Sequence, residues 1–336
     1  MALDGHQAHP RVRRLSGSFH EIGVELGRGQ DWSLVLAEPV EGGDLAGECE
    51  RLVERLFSPA VEKLAGIAEA LEVPVEALQP WYYVRGAQIG CTTFAWERPD
   101  PIIGRAYHWV HEAAKWCEGR IVSAQGRRAF SGYTHNACGL SDGLNDAGVS
   151  VLISALAPLP VQEPGLPWHA LVDWVLGEAA TTEDAVRILC RAPHVRPFLY
   201  FIADGAGALA VVEALPGFVR VRRPSDGVLV ATNYALFRRH PAHHAERHLA
   251  AEERVRAHGP ADSHAHAQAL LQSHDGPFCA GRHARPGEPI ADSEWYTLWA
   301  ATLRPARREM HVAPGRPCET PFTPLPGTGG TSDSDA

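Results

Sequence analysis

Apolar residues recur at spacings of three and four from about His20 to Val84, in HEIGVELGRGQ and again in CERLVERLFSPAVEKLAGIAEALE. This periodicity predicts amphipathic helices with Pro59 as a kink and Pro74 as a stop. From Cys91 the pattern changes. TTFAW, IIGRAYHWV, GRIVSA, RRAFSGYT and GVSVLISALA are short runs rich in β-branched and aromatic residues, set apart by Gly, Pro, Asn and Asp, and they predict a meander of antiparallel strands. Helical spacing returns in PWHALVDWVLGEA and in TTEDAVRILCRA, where Thr182 is the expected N-cap. A second group of strands is predicted in FLYFIAD, ALAVVEAL, FVRVRRP and GVLVATN, with DGAG and LPG as turns. Helices follow over AHHAERHLAAEERVRAHG and DSHAHAQALLQS, and the last strands are EWYTLWAATLRP and REMHVAP. Groups of strands alternating with helix pairs, without a strict βαβ rhythm, predict an α+β sandwich with sheets inside and helices outside. The chain divides into a helical N-terminal segment (1–90), a core (91–322) and a small, polar tail (323–336) expected to be disordered.

With 336 residues, 45% hydrophobic and 21% charged, the chain can bury a large core as one large domain or two modest ones. The net charge of -9, and the lack of a basic cluster interleaved with aromatics, exclude a nucleic acid held by its phosphates and leave small molecules as the expected ligands. No apolar run approaches the roughly 18 residues of a membrane span, and MALDGHQAHPRVRR has no hydrophobic core of the secretory kind, so a cytoplasmic location is expected. The seven cysteines are odd in number, widely spaced and without a CxxC, which signals neither a disulfide framework nor a zinc site; neither metal nor cofactor is expected. His240, His244 and His248 fall at spacings of four, and His264, His266 and His274 form a second cluster. Without a carboxylate–histidine motif beside them, solvated helices are the expected reading.

The chemistry concentrates at Gly90-Cys91-Thr92-Thr93, where helical periodicity gives way to strands. A cysteine at such a boundary can be a nucleophile that becomes a new amino terminus when the preceding peptide bond is cut. Its α-amine, with an unperturbed pKa of roughly 7.7 to 8.0, would then serve as its own base.

SGSFHEIGVELG, IGCTTFAW, GRAYHW, GLNDAGVSV and VATNY, in that order, make the chain resemble the acyl-coenzyme A:6-aminopenicillanic acid acyltransferase family. That family is a branch of the N-terminal-nucleophile hydrolases, related to the bile-salt and penicillin V amidases. The resemblance implies a four-layer αββα sandwich, cleavage between Gly90 and Cys91, and an acyl-enzyme on Cys91 formed from an amide or an acyl thioester. The acyl donor and the amine or amide substrate are small molecules on this reading. Asn233 matches the family's catalytic asparagine, whose side-chain amide donates to the tetrahedral oxyanion. Arg105 matches an arginine near the nucleophile, expected to orient the Cys91 end and the substrate. Thr92, Ser154 and Tyr234 are carried as candidate substrate-binding positions.

The chain departs from the family's pattern at four places. His108 stands where an aspartate usually holds the nucleophile's amine, Ala106 where an asparagine is common, Tyr234 where a histidine often follows the TN pair, and Ser154 where relatives can place an oxyanion-binding asparagine. Two alternatives therefore stay open: an uncut Cys–His thioesterase or acyltransferase with His108 as the base, and a silent homologue that only binds an acylated ligand. The sequence decides neither the acyl group nor the oligomeric state.

Overall fold

The computed structural model describes residues 10–32, 42–84, 90–156, 163–236, 242–281, 291 and 293–327. Its first element is a strand, β1 (Val12–Gly17), which corrects the purely helical reading of residues 1–90. In VRRLSG only Leu15 is buried, so no alternation marks the strand in the sequence. It forms because its backbone pairs in parallel with β4 (Glu118–Ala124), from Val12 opposite Gly119 to Gly17 opposite Ala124.

The expected helices then appear. Ser18 and Glu21 form a capping box that starts α1 (Phe19–Arg28), which buries Phe19, Ile22 and Leu26. Pro59 does not kink one helix but opens a second, because proline's missing N–H costs nothing at a first helical position: α2 (Gly43–Phe57) ends and α3 (Pro59–Leu71) begins there. Pro74 precedes the short α4 (Val75–Gln79), which runs into a π turn over Pro80–Val84.

Two sheets lie inside. The first has the order β1-β4-β5-β6-β7-β8-β9-β10, adding β5 (Phe130–Thr134), β6 (Asp142–Asn145), β7 (Val149–Ala155), β8 (Phe198–Asp204), β9 (Leu209–Leu215) and β10 (Phe218–Arg222). The second has the order β11-β2-β3-β12-β13-β14, from β2 (Gly90–Trp96), β3 (Ile103–Val110), β11 (Val228–Ala231), β12 (Trp295–Arg304), β13 (Glu309–Ala313) and β14 (Thr323–Pro324). The single meander expected after Cys91 is thus divided. A 3-10 turn over His111–Trp116 carries the chain from β3 in the second sheet to β4 in the first, and β11 likewise leaves its sequence neighbours. Period-2 alternation marks a strand without naming its partner.

Outside the first sheet lie α5 (Trp168–Glu178) and α6 (Thr182–Arg191), which contact β6 to β9. The cap of α6 is Thr181, in a capping box with Asp184; Thr182 is the first helical residue, its N–H donating to Asp204 at 2.8 Å. Outside the second sheet, α7 (Ala242–His258) and α8 (His264–Leu271) press Ala251, Val255, Ala267 and Leu271 onto Phe94, Trp96, Ala106 and Ala300. The result is a four-layer αββα sandwich.

The N-terminal segment is built into this body. Besides β1, the Lys63 ammonium on α3 pairs with Asp173 on α5 with both groups buried, and Arg11 and Arg13 reach Glu118 at 2.7 and 3.2 Å. At the other end Thr323–Pro324 pairs with β13 and Leu325 is buried, so the tail expected to be disordered begins as structure; residues 328–336 lie outside the described residues. His240 and the side chain of His244 also lie outside them, whereas His248 is buried rather than solvated, with Nδ1 3.2 Å from Thr232 Oγ1. Among the described residues, no helix is long and apolar enough to cross a membrane.

Candidate active site

Strands β2 and β3 pair antiparallel with Gly90 opposite His108, Cys91 opposite Tyr107, Thr92 opposite Ala106 and Thr93 opposite Arg105. Because successive side chains alternate, this register sorts the residues onto two faces. Cys91, Thr93, Arg105 and Tyr107 face the first sheet, whereas Thr92, Phe94, Ala106 and His108 face α7 and α8.

On the inner face Arg105 is fully buried and spends its donors on both sheets. Its Nε reaches Asp142 at 3.1 Å, one terminal nitrogen reaches Thr93 Oγ1 at 3.0 Å and Ser154 Oγ at 3.4 Å, and the other reaches the Ile153 carbonyl at 2.6 Å. Asp142 also accepts from Trp299 Nε1 at 2.7 Å, and Trp299 stacks on Tyr107 at 3.7 Å. Burial works against the Arg105 charge, but Asp142, with Cys91 and Tyr107, outweighs it and raises the guanidinium's pKa. A fixed cation therefore stands beside the Cys91 sulfur. Burial pushes the Cys91 thiol up; Arg105, a hydrogen bond with Ser154, and Arg247 pull it back, while Asp142 adds to the rise.

The nitrogen of Cys91 is held from another direction. Asn233 follows β11, and its Oδ1 accepts the Cys91 backbone N–H at 2.7 Å and an Arg247 N–H at 2.9 Å, while its Nδ2 donates to the Ala155 carbonyl at 2.7 Å. Two donors on one atom and an acceptor on the other fix which way the amide points. Arg247 bridges onward to Thr92 Oγ1 at 3.4 Å.

The structure thus gathers Cys91, Arg105, Ser154 and Asn233, and turns His108 and Thr92 away from the sulfur's face. Thr92 Oγ1 donates to the Pro277 carbonyl at 2.7 Å, and the Tyr234 ring lies 5.6 Å from that of His248. The imidazole of His108 has Nδ1 3.0 Å from Thr297 Oγ1 and Nε2 3.4 Å from the Pro277 carbonyl. Burial, with Arg247 and Arg105 nearby, holds its pKa well below the usual range despite the Pro277 contact, so it is neutral at pH 7. The alternative of a Cys91–His108 pair finds no such contact here, because a residue opposite Gly90 faces away from the side chain of Cys91.

Asp142 and Arg247 were not legible in the sequence. Asp142 sits in the SDGLN strand start with no catalytic motif around it, and Arg247 is one arginine in a helix rich in them. Gly90 has its own reason to be glycine: a Cβ there would fall 2.3 Å from Cζ2 of Trp295.

Residues 103–318 match the acyl-coenzyme A:6-aminopenicillanic acid acyl-transferase family. The match takes in Arg105, Asp142, Ser154, Asn233 and Arg247, and begins after Gly90 and Cys91. No curated protein sequence matches the chain. Among solved structures, an N-acylethanolamine-hydrolyzing acid amidase ortholog from Caenorhabditis elegans is similar at 16% identity, over 64% of this chain and 93% of that one, with a TM-score of 0.49. Penicillin V acylase from Agrobacterium tumefaciens is similar at 18% identity, over 70% of this chain and 84% of its own, with a TM-score of 0.43. A variant of conjugated bile acid hydrolase from Clostridium perfringens is similar at 12% identity, over 70% and 96%, with a TM-score of 0.44.

Proposed function

The chain belongs to this acyl-transferase family, and on that premise we propose that it is a self-cleaving cysteine amidohydrolase or acyltransferase working through a Cys91 acyl-enzyme. One observation carries the reading: the Cys91 N–H rests on Asn233 Oδ1 at 2.7 Å while its sulfur shares a buried face with Arg105 and Ser154.

Cleavage comes first. The Cys91 sulfur attacks the Gly90 carbonyl carbon, the C–S bond forms as the C–N bond breaks, and the thiol proton ends on the departing Cys91 amine. Water then hydrolyses the thioester, leaving Gly90 with a carboxylate and Cys91 with a thiol and a free amine. The uncut chain buries Cys91 completely, beside the Gly90 carbonyl it would attack.

In turnover the amine takes the thiol proton and the thiolate attacks the acyl carbon of an amide or thioester. Asn233 Nδ2 and the Arg105 cation stabilise the developing negative charge, and the leaving amine or thiol departs with the proton. Water releases the acyl group as an acid; an amine in its place completes a transfer. The paired Arg105 and Asp142 hold their geometry without reorganising during the reaction.

Intact-mass analysis of the purified protein and of Cys91→Ala tests the reading. Two fragments separating at Gly90/Cys91 in the first and a single uncut chain in the second are expected, with hydrolysis of a panel of acyl amides and thioesters lost in the variant. Full-length protein that turns over would reject cleavage, and activity in Cys91→Ala would reject the nucleophile.

A further inference from the structure

Cys279 and Cys318 stand 39 positions apart in the chain, yet their sulfurs approach to 3.4 Å and both are free thiols. His274 completes the group: its ring nitrogen and the two sulfurs all lie within 4.8 Å of one another. Ligands sharing a tetrahedral Zn²⁺, with bonds of about 2.3 Å to sulfur and 2.0 Å to nitrogen, stand roughly 3.5 to 3.8 Å apart, so the two sulfurs are already close to the separation one ion would set and the imidazole nitrogen needs only a small movement to join them. Cys279 is buried, Cys318 half-buried and His274 exposed, which gives the cluster an open side. A disulfide would use the two sulfurs and leave the convergence of the imidazole unexplained.

The surroundings suit an ion held by two thiolates. The Arg316 guanidinium, 1% exposed, hydrogen-bonds the Cys279 sulfur and also donates to Glu319 at 3.1 Å. The Arg316–Glu319 pair carries no net charge, so it can orient the sulfur without opposing the cation, the part that outer ligands play around thiolate metal sites. Among the described residues the cluster stops at three ligands.

We propose that His274, Cys279 and Cys318 bind a thiolate-preferring late transition-metal ion of the Zn²⁺ class and staple the loop after α8 to the segment following β13. This goes beyond the Cys91 reading and does not depend on it. The stapled loop lies on the outer face of β2 and β3. Its Pro277 carbonyl accepts from Thr92, the neighbour of Cys91, and faces His108, while Ala280 N donates to Thr297 Oγ1 at 2.7 Å. The metal would fix the backing of the strand that carries the nucleophile. The sequence gives no sign of it, because the ligands come from separate turns without the short spacing that marks a zinc motif.

Full-length protein purified without a metal-affinity tag should carry one equivalent of zinc by elemental analysis. Anaerobic titration of the reduced, metal-free protein with Co²⁺ should give thiolate-to-cobalt charge-transfer bands. Cys318→Ser should abolish those bands and Cys190→Ser, an exposed thiol outside the cluster, should leave them. Should Cys318→Ser fail to fold, His274→Ala alters only an exposed side chain and should weaken Co²⁺ binding by more than the 10–100-fold seen when an outer partner of a metal ligand is lost. Chelation should raise deuterium exchange over residues 276–280. Reduced protein that shows neither bound zinc nor cobalt–thiolate bands would overturn the site, as would an intact mass showing Cys279 and Cys318 joined in the freshly isolated chain.

Discussion

At the scale of single residues the site turns on which face of a strand each side chain takes. His108 packs against Thr297 and Pro277 on the far side of the sheet from the Cys91 sulfur. With its pKa pushed well below 6.5 by burial and by Arg247, it stays neutral through the neutral range. His108→Gln should therefore leave the shape of the kcat/KM profile between pH 6 and 8 unchanged; a shifted acidic limb would restore the histidine as the base. Asn233→Ala removes both the anchor of the Cys91 nitrogen and an amide donor, and should lower kcat by about 100- to 1000-fold, read by steady-state kinetics. Gly90→Ala puts a methyl group 2.3 Å from the Trp295 ring, so cleavage should slow markedly, and Trp295→Ala should restore much of the rate in the double variant. Failure of that rescue would mean the glycine is needed for its backbone freedom instead.

Elements meet here through their smallest residues. Helices α1 and α3 cross with backbone against backbone: a Cβ on Gly23 would lie 2.1 Å from the Lys63 carbonyl oxygen, and one on Gly66 would lie 2.1 Å from that of His20. Backbone cannot yield as a side chain can. Gly66→Ala is expected to destabilise by about 1–3 kcal/mol or more through overpacking, although alanine is the better helix former, and a lowered denaturation midpoint would show it. That crossing brings Lys63 to Asp173 and so fastens α3 to α5 across the proposed cleavage point. The fragments should stay together after the Gly90–Cys91 bond is cut, co-eluting in size-exclusion chromatography without denaturant. In the sequence these glycines in EIGVELG and KLAG register only as weak helix formers; their use depends on a partner helix some forty positions away.

Across the whole molecule, buried neutral histidines link stability to acidity. His135 and His194 are both buried, with pKa values pushed down by burial to about 3 and about 4. The folded chain binds fewer protons at these rings than the unfolded chain does below about pH 6.5, so stability is fully present above that value and is lost as pH falls toward the folded pKa. At pH 5, His194 alone costs about 2 kcal/mol, and melting temperature should fall steeply from pH 7 to pH 5. His194→Gln should flatten that fall; an unchanged slope would place the acid sensitivity elsewhere. Much of the architecture was open to a reading of pattern alone, since period and capping depend on residues a few places apart: the helix pairs, the strands from Cys91 onward, the Gly90-Cys91 junction and the TN pair at Asn233 all show in the chain. β1 did not, because five of its six side chains are left unburied or half-buried and its identity rests on hydrogen bonds to a partner some hundred residues away. The same separation in sequence hid Asp142, Arg247 and the meeting of Cys279 with Cys318. Local chemistry set what each segment could become, whereas the register of β2 on β3 and the facing of the two sheets decided which groups stand beside the Cys91 sulfur, since a side chain's neighbours across a sheet are fixed by pairing and not by its own sequence.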